Sequence, residues 1–111
     1  LYDSMNGVQG PYARAIFVDE FGAPVESCMN SIPKPDFGGH STPSHGHADP
    51  NLTHAVELVA RMGLNKEGRE IETTSEPPVF GAAADGDADR NMIMGSRFFC
   101  SPSDSLAVLV A

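Results

Sequence analysis

The six residues from Val79 to Ala84, VFGAAA, carry no polar side chain and run straight into Asp85-Gly86-Asp87-Ala88-Asp89-Arg90. A short run that is apolar at every position suits a strand buried on both faces of a sheet, and such strands belong to α/β proteins. The acidic loop then falls at the carboxyl end of that strand, the edge where open α/β sheets place their ligands. Three carboxylates in five residues repel one another. At 4 Å each pair costs about 1 kcal/mol in water and about 4 kcal/mol at an effective dielectric of 20. Only Arg90 lies beside them in the chain, so the sequence implies a positive partner from outside.

The rest of the chain supplies the other layers. Pro11 suits a first helical position, Tyr12, Ile16 and Phe17 give one apolar side, and Gly22 followed by Pro24 marks the end, which predicts a helix over 11–21. Residues 25–33, VESCMNSIP, alternate as a strand does, though imperfectly. The stretch 34–48 is rich in Gly, Pro and His and shows no period, so it reads as a loop. Asp49 as N-cap, Pro50 at the first position, apolar residues at 52, 55, 56, 59 and 62 and Gly63 as terminator predict a helix over 50–62, with His54 on its exposed side. Residues 64–78 read as a surface excursion, MIMG and RFFC around Gly95-Ser96 as a β-hairpin, and Ser101-Pro102-Ser103-Asp104 as a capped helix start. The order strand, helix, strand, helix, strand, hairpin, helix defines an α/β domain with a mixed sheet, because a hairpin cannot be parallel with itself.

Composition narrows the function. With 111 residues, 41% hydrophobic and 20% charged, the chain has the make-up of one domain with a real core. Its net charge of -8 and its seven scattered Lys and Arg residues argue against nucleic acid and against anionic membrane as partners. No apolar stretch reaches the length of a membrane span and the first residues lack the pattern of a secretory signal, so a cytoplasmic protein is expected. Cys28 and Cys100 read as reduced thiols in apolar strands. The chain starts inside a strand and stops within a helix, which reads as a piece of a larger protein.

Alternate residues of an extended loop point the same way, so Asp85, Asp87 and Asp89 can aim at one point. Hard oxygen ligands suit Mg²⁺, Mn²⁺ or Ca²⁺ rather than zinc. An EF-hand is excluded, since Arg90 and Ser96 stand where its Gly and Glu belong. A shell left incomplete by three carboxylates is commonly filled by water or phosphate oxygens, which points to phosphoryl transfer. His40, His45 and His47 lack helical spacing and nearby Cys and read as part of a polar loop, GVQG before Pro11 reads as a tight turn, and no serine sits in a nucleophile elbow.

The stretch AADGDADRNM resembles the metal-binding loop of the α-D-phosphohexomutase superfamily, and DSMNGVQGPYA, FGAP, DFGGH, DPNLTHAVELV and FFCSPSDSLAVL match its phosphoglucomutase branch in order. The resemblance runs the length of the chain and departs at STPSHGHA and at residues 64–78. It implies that residues 1–111 are a single domain, similar to the second of four. That domain would be a three-layer α/β/α unit whose mixed sheet has about four strands. It also implies that Asp85, Asp87 and Asp89 hold Mg²⁺, that Asp89 and Arg90 face a sugar phosphate, and that glucose 1-phosphate and glucose 6-phosphate interconvert through glucose 1,6-bisphosphate. The phosphoserine of that reaction would come from another domain of the same parent chain, leaving this piece inactive alone. A non-catalytic, parafusin-like scaffold and a free-standing divalent-cation module are the alternatives.

Overall fold

In the computed structural model, which describes residues 1–111, the chain lays down β1 (Tyr2–Asp3), α1 (Gly10–Arg14), β2 (Cys28–Met29), α2 (Val56–Arg61), β3 (Phe80–Ala84), β4 (Asn91–Gly95), β5 (Phe98–Cys100) and α3 (Pro102–Val110). The strands form one mixed sheet of five in the order β2-β1-β3-β4-β5, with β1 parallel to both β2 and β3 and the last three antiparallel. The expected count of about four is therefore one short. All five are nonetheless in the element order read from the sequence, since the strand expected over 25–33 is the one that forms β2, Cys28–Met29.

Register sorts the faces. Asp3, Ala83 and Met92 stand side by side across β1, β3 and β4, as do Tyr2, Ala82 and Ile93 one residue away, and successive strand residues face opposite ways. The first face carries the core, where Leu58 and Val59 of α2 and Met62 just after it pack with Met5, Ala55 and Leu64 against Ala83, Met92 and Met94. Burying a Leu or Met side chain contributes roughly 1.5–3 kcal/mol, so this layer supplies most of what holds α2 to the sheet. On the opposite face the Tyr2 ring meets Phe17, with centroids 5.3 Å apart. Phe17 lies where α1 continues from Ala15 to Glu20 in wider, π-type turns, Phe21 N bonding Ile16 O at 3.1 Å. Helices thus cover both faces, as the three-layer expectation requires.

Three elements differ from their sequence reading. The strand expected over 25–33 shrinks to β2 because a 3₁₀ turn occupies Val25–Ser27 and Asn30 takes the left-handed region at φ 47°. The helix expected from Pro50 begins only at Val56. Asn51 Oδ1 accepts from the amides of Thr53 at 3.0 Å and His54 at 2.8 Å, a local turn that competes with helix, and Ala55 at ψ 51° interrupts the backbone. Asp49 therefore caps nothing, and His54 belongs to a turn. The strand expected from Val79 begins at Phe80, and both side chains are more than half exposed, so only Gly81–Ala84 is buried on both faces.

The excursion at 64–78 is mostly exposed or half-buried, but Leu64 is buried in the core and Pro77 is buried as well. Gly63 ends α2 in the left-handed region, the hairpin forms where expected, and Ser101 Oγ accepts from Asp104 N at 3.2 Å as an N-cap should. Both cysteines are free thiols. No helix is long and apolar enough to cross a membrane.

Asp3, at the end of β1, carries a first test of this framework. Its buried Oδ1 accepts from Met5 N at 2.8 Å and from Asn30 Nδ2 at 2.9 Å. Burial nevertheless pushes the carboxyl above the usual range, against the pull of those bonds. The folded chain then holds the proton more tightly than the unfolded chain, so this group's contribution is full below the unfolded pKa and is lost as pH rises through the folded one. Asp3→Ala leaves the buried Met5 amide without an acceptor and is expected to destabilise by about 1–3 kcal/mol. Asp3→Asn keeps an acceptor oxygen, should cost less at neutral pH and should flatten the acid-side dependence. Urea unfolding of both variants from pH 4 to 7 checks this.

Candidate metal centre

Asp85 leaves the buried end of β3 and anchors the loop that follows. Its amide donates to Arg90 O at 3.2 Å, its Oδ1 accepts from Arg90 N at 3.1 Å and its carbonyl accepts from Ala88 N at 3.1 Å. Ala88 is left-handed, at φ 65°. The three aspartates therefore meet because the chain turns back on itself, and not through the extended alternation expected from the sequence. Asp85, Asp87 and Asp89 each offer a carboxylate oxygen within 4.8 Å of the others, with Asp85 buried and the other two exposed.

The segment after β1 fixes this loop from behind. Val8 N donates to Gly86 O at 3.0 Å, and the buried Gln9 side chain donates to Asp85 O and Ser4 O, both at 2.9 Å. Gly7 is required there, since a Cβ would lie 2.7 Å from Gly86 O. Gly86 in turn packs against the Phe37 ring, which a Cβ at 2.8 Å would push aside. GVQG is thus a tight turn and a clamp on the acidic loop. Sequence reasoning missed Gln9, whose role depends on contacts more than seventy residues away in the chain.

Electrostatics show strain among the carboxylates. Burial raises the Asp85 pKa, but hydrogen bonding from Arg90 N and from Asp89, the Arg90 charge and the Ala88 amide outweigh it, so the carboxyl lies below its ordinary range. Asp89 is pushed up, first by its hydrogen bond to Asp85 and then by the charges of Asp87 and Asp85. Two carboxyls close enough to share a proton, with a third alongside, form an oxygen donor set that a hard divalent cation fits.

Arg90 hydrogen-bonds to the triad through its backbone alone, while its charge acts on Asp85 and Asp89 from a greater distance. No ion pair joins its guanidinium to Asp85, Asp87 or Asp89. Arg90 instead borders a cleft of about 490 Å³ shared with Asp49, Asn51 and one side of α3, from Pro102 to Leu109. A second cleft, of about 540 Å³, is lined by Asp85, Gly86 and Asp87 on one side and by Phe37, His47 and Asp49 on another. His40 and His45 pair with each other, edge to face at 5.8 Å. His47 lies with Asp49 and His54, a grouping the sequence did not announce because the turn at Asn51 was read as helix.

Fold and site define an α/β domain that gathers three carboxylates at the end of a buried strand. No family model matches the chain. It is 59% identical over 110 residues to the cytoplasmic phosphoglucomutase of Populus tremula and 60% identical to the probable cytoplasmic phosphoglucomutase 2 of Arabidopsis thaliana, covering 99% of this chain in each case. A crystal structure of the exocytosis-sensitive phosphoprotein pp63/parafusin, a phosphoglucomutase from Paramecium in its open form, superposes with a TM-score of 0.82. It is 47% identical and covers 97% of this chain. The chain is homologous along nearly its whole length to one segment of the phosphoglucomutases. It spans 17% of the length of those relatives.

Proposed function

We propose that this chain is the cation-holding second domain of a cytoplasmic phosphoglucomutase, an isomerase that interconverts glucose 1-phosphate and glucose 6-phosphate through glucose 1,6-bisphosphate. The observation that carries this reading is the convergence of Asp85, Asp87 and Asp89 at the end of β3, in a segment homologous to phosphoglucomutases. Asp85, Asp87 and Asp89 would hold Mg²⁺. Bound there, the ion supplies positive charge that stabilises the transferring phosphoryl group.

The chain's own residues do the positioning. Asp85, tied at its carboxylate and at both peptide groups, sets where the other two oxygens converge. The unpaired Arg90 guanidinium is available to hold phosphate or sugar oxygens through its planar fork, with Asp89 beside it on the substrate side. The phosphoserine and the rest of the sugar-phosphate site would come from other domains of the parent chain, so this segment alone would not turn over substrate.

The Paramecium relative favours one second reading, a role in exocytosis with or without catalysis, because its name carries both descriptions. The higher identity to the plant phosphoglucomutases favours the enzyme. Assay of the full-length protein separates the two. Conversion of glucose 1-phosphate to glucose 6-phosphate, stimulated by glucose 1,6-bisphosphate and abolished by chelator, is expected. No conversion at saturating Mg²⁺ would favour the scaffold.

A further inference from the structure

His47, Asp49 and His54 form a second cluster of ligating groups, built from different residue types from the aspartate triad. Nδ1 of His47 lies 3.6 Å and Nδ1 of His54 3.7 Å from the same oxygen, Oδ2 of Asp49. Both separations exceed the 2.7–3.2 Å or so of a hydrogen bond. They lie close to the edge of a tetrahedron drawn about a zinc ion, which is about 3.4 Å for ligands roughly 2.05 Å from the metal. The two imidazoles stack at 4.5 Å and 20°, so both rings are held beside that carboxylate. A second observation points the same way. Nδ1 of His54 is buried and has no hydrogen-bond partner, leaving a polar atom aimed at the cluster with nothing to satisfy it.

We propose that His47, Asp49 and His54 form a second cation site, selective for a borderline ion of the Zn²⁺ class and completed by water. Two imidazoles and one carboxylate are a zinc-type donor set, whereas the all-carboxylate loop suits Mg²⁺. The site joins the end of the 34–48 loop to the turn at Asn51. Because His47 and Asp49 line the same cleft as Asp85 and Asp87, an ion there fixes the wall facing the acidic loop. The net charge of -8 favours a second cation electrostatically.

Calorimetric titration of Zn²⁺ into the chelator-stripped full-length protein, in excess Mg²⁺ to occupy the acidic loop, tests the site. One Zn²⁺ per chain is expected, weakened at least about tenfold by His54→Gln and by His47→Gln, and unchanged in Asp87→Asn and in the paired control His40→Gln/His45→Gln. Replacing Zn²⁺ by Co²⁺ should give the visible bands of a four-coordinate ion in the unaltered protein, a readout independent of activity and of variant folding. Zn²⁺ affinity unchanged in both single-histidine variants, loss of binding in Asp87→Asn or in the paired control, or Co²⁺ spectra of a six-coordinate ion would each overturn the proposal.

Discussion

Asp87→Asn in the full-length protein is expected to lower kcat/KM for glucose 1-phosphate by about 100-fold or more at limiting Mg²⁺, with the Mg²⁺ requirement shifted upward. On the proposed function the substitution would remove one charged ligand from a cation that would stabilise a transferring phosphoryl group, and loss of a single preorganised interaction of that kind costs about 10²–10³ in rate. Asp87 is the right member of the triad to alter. Asp85 anchors the loop through its carboxylate and backbone, so its replacement would confound ligand loss with loop collapse. Asp87 is exposed and its side chain makes no hydrogen bond or ion pair, so the fold should survive its change. Turnover measured across a Mg²⁺ series reads the effect. Unchanged turnover at every Mg²⁺ concentration would remove Asp87 from the ligand set.

Arg90→Lys should cost at least about 10-fold in kcat/KM, equivalent to roughly 1.4 kcal/mol of transition-state stabilisation. Both hydrogen bonds between Arg90 and Asp85 use backbone atoms or the Asp85 side chain, so the loop is held whatever side chain stands at position 90. The substitution therefore isolates the guanidinium. Lysine keeps the charge but loses the planar, two-pronged donor set that grips phosphate. Mg²⁺ affinity should change far less than kcat/KM, since neither side chain is a ligand. Near-normal turnover with weakened Mg²⁺ binding would make Arg90 a charge-balancing partner of the aspartates.

Much of this was legible in the sequence because it is encoded locally. The apolar run 79–84 placed β3 within one residue, Gly95-Ser96 placed the hairpin, and Ser101-Pro102-Ser103-Asp104 placed the start of α3. The aspartate triad was legible for the same reason, since its members are neighbours in the chain. What escaped depended on side chains competing with backbone or on distant contacts. Asn51 supplies two hydrogen bonds that a helix would otherwise make for itself, delaying α2 to Val56 and turning His54 toward His47 and Asp49. Gln9 holds the acidic loop by reaching backbone atoms of Ala84 and Asp85, and no pattern around residue 9 encodes that reach. The convergence was expected for a different reason from the one found, because Ala88 adopts a left-handed turn that alanine rarely takes.

Asp85, Asp87 and Asp89 are proposed to hold one hard divalent cation. An anomalous-difference map from crystals of the full-length protein grown with Mn²⁺ in place of Mg²⁺ tests this directly. One peak about 2 Å from a carboxylate oxygen of each of the three aspartates is the predicted result. Full Mn²⁺ occupancy elsewhere, with no density between Asp85, Asp87 and Asp89, would contradict it.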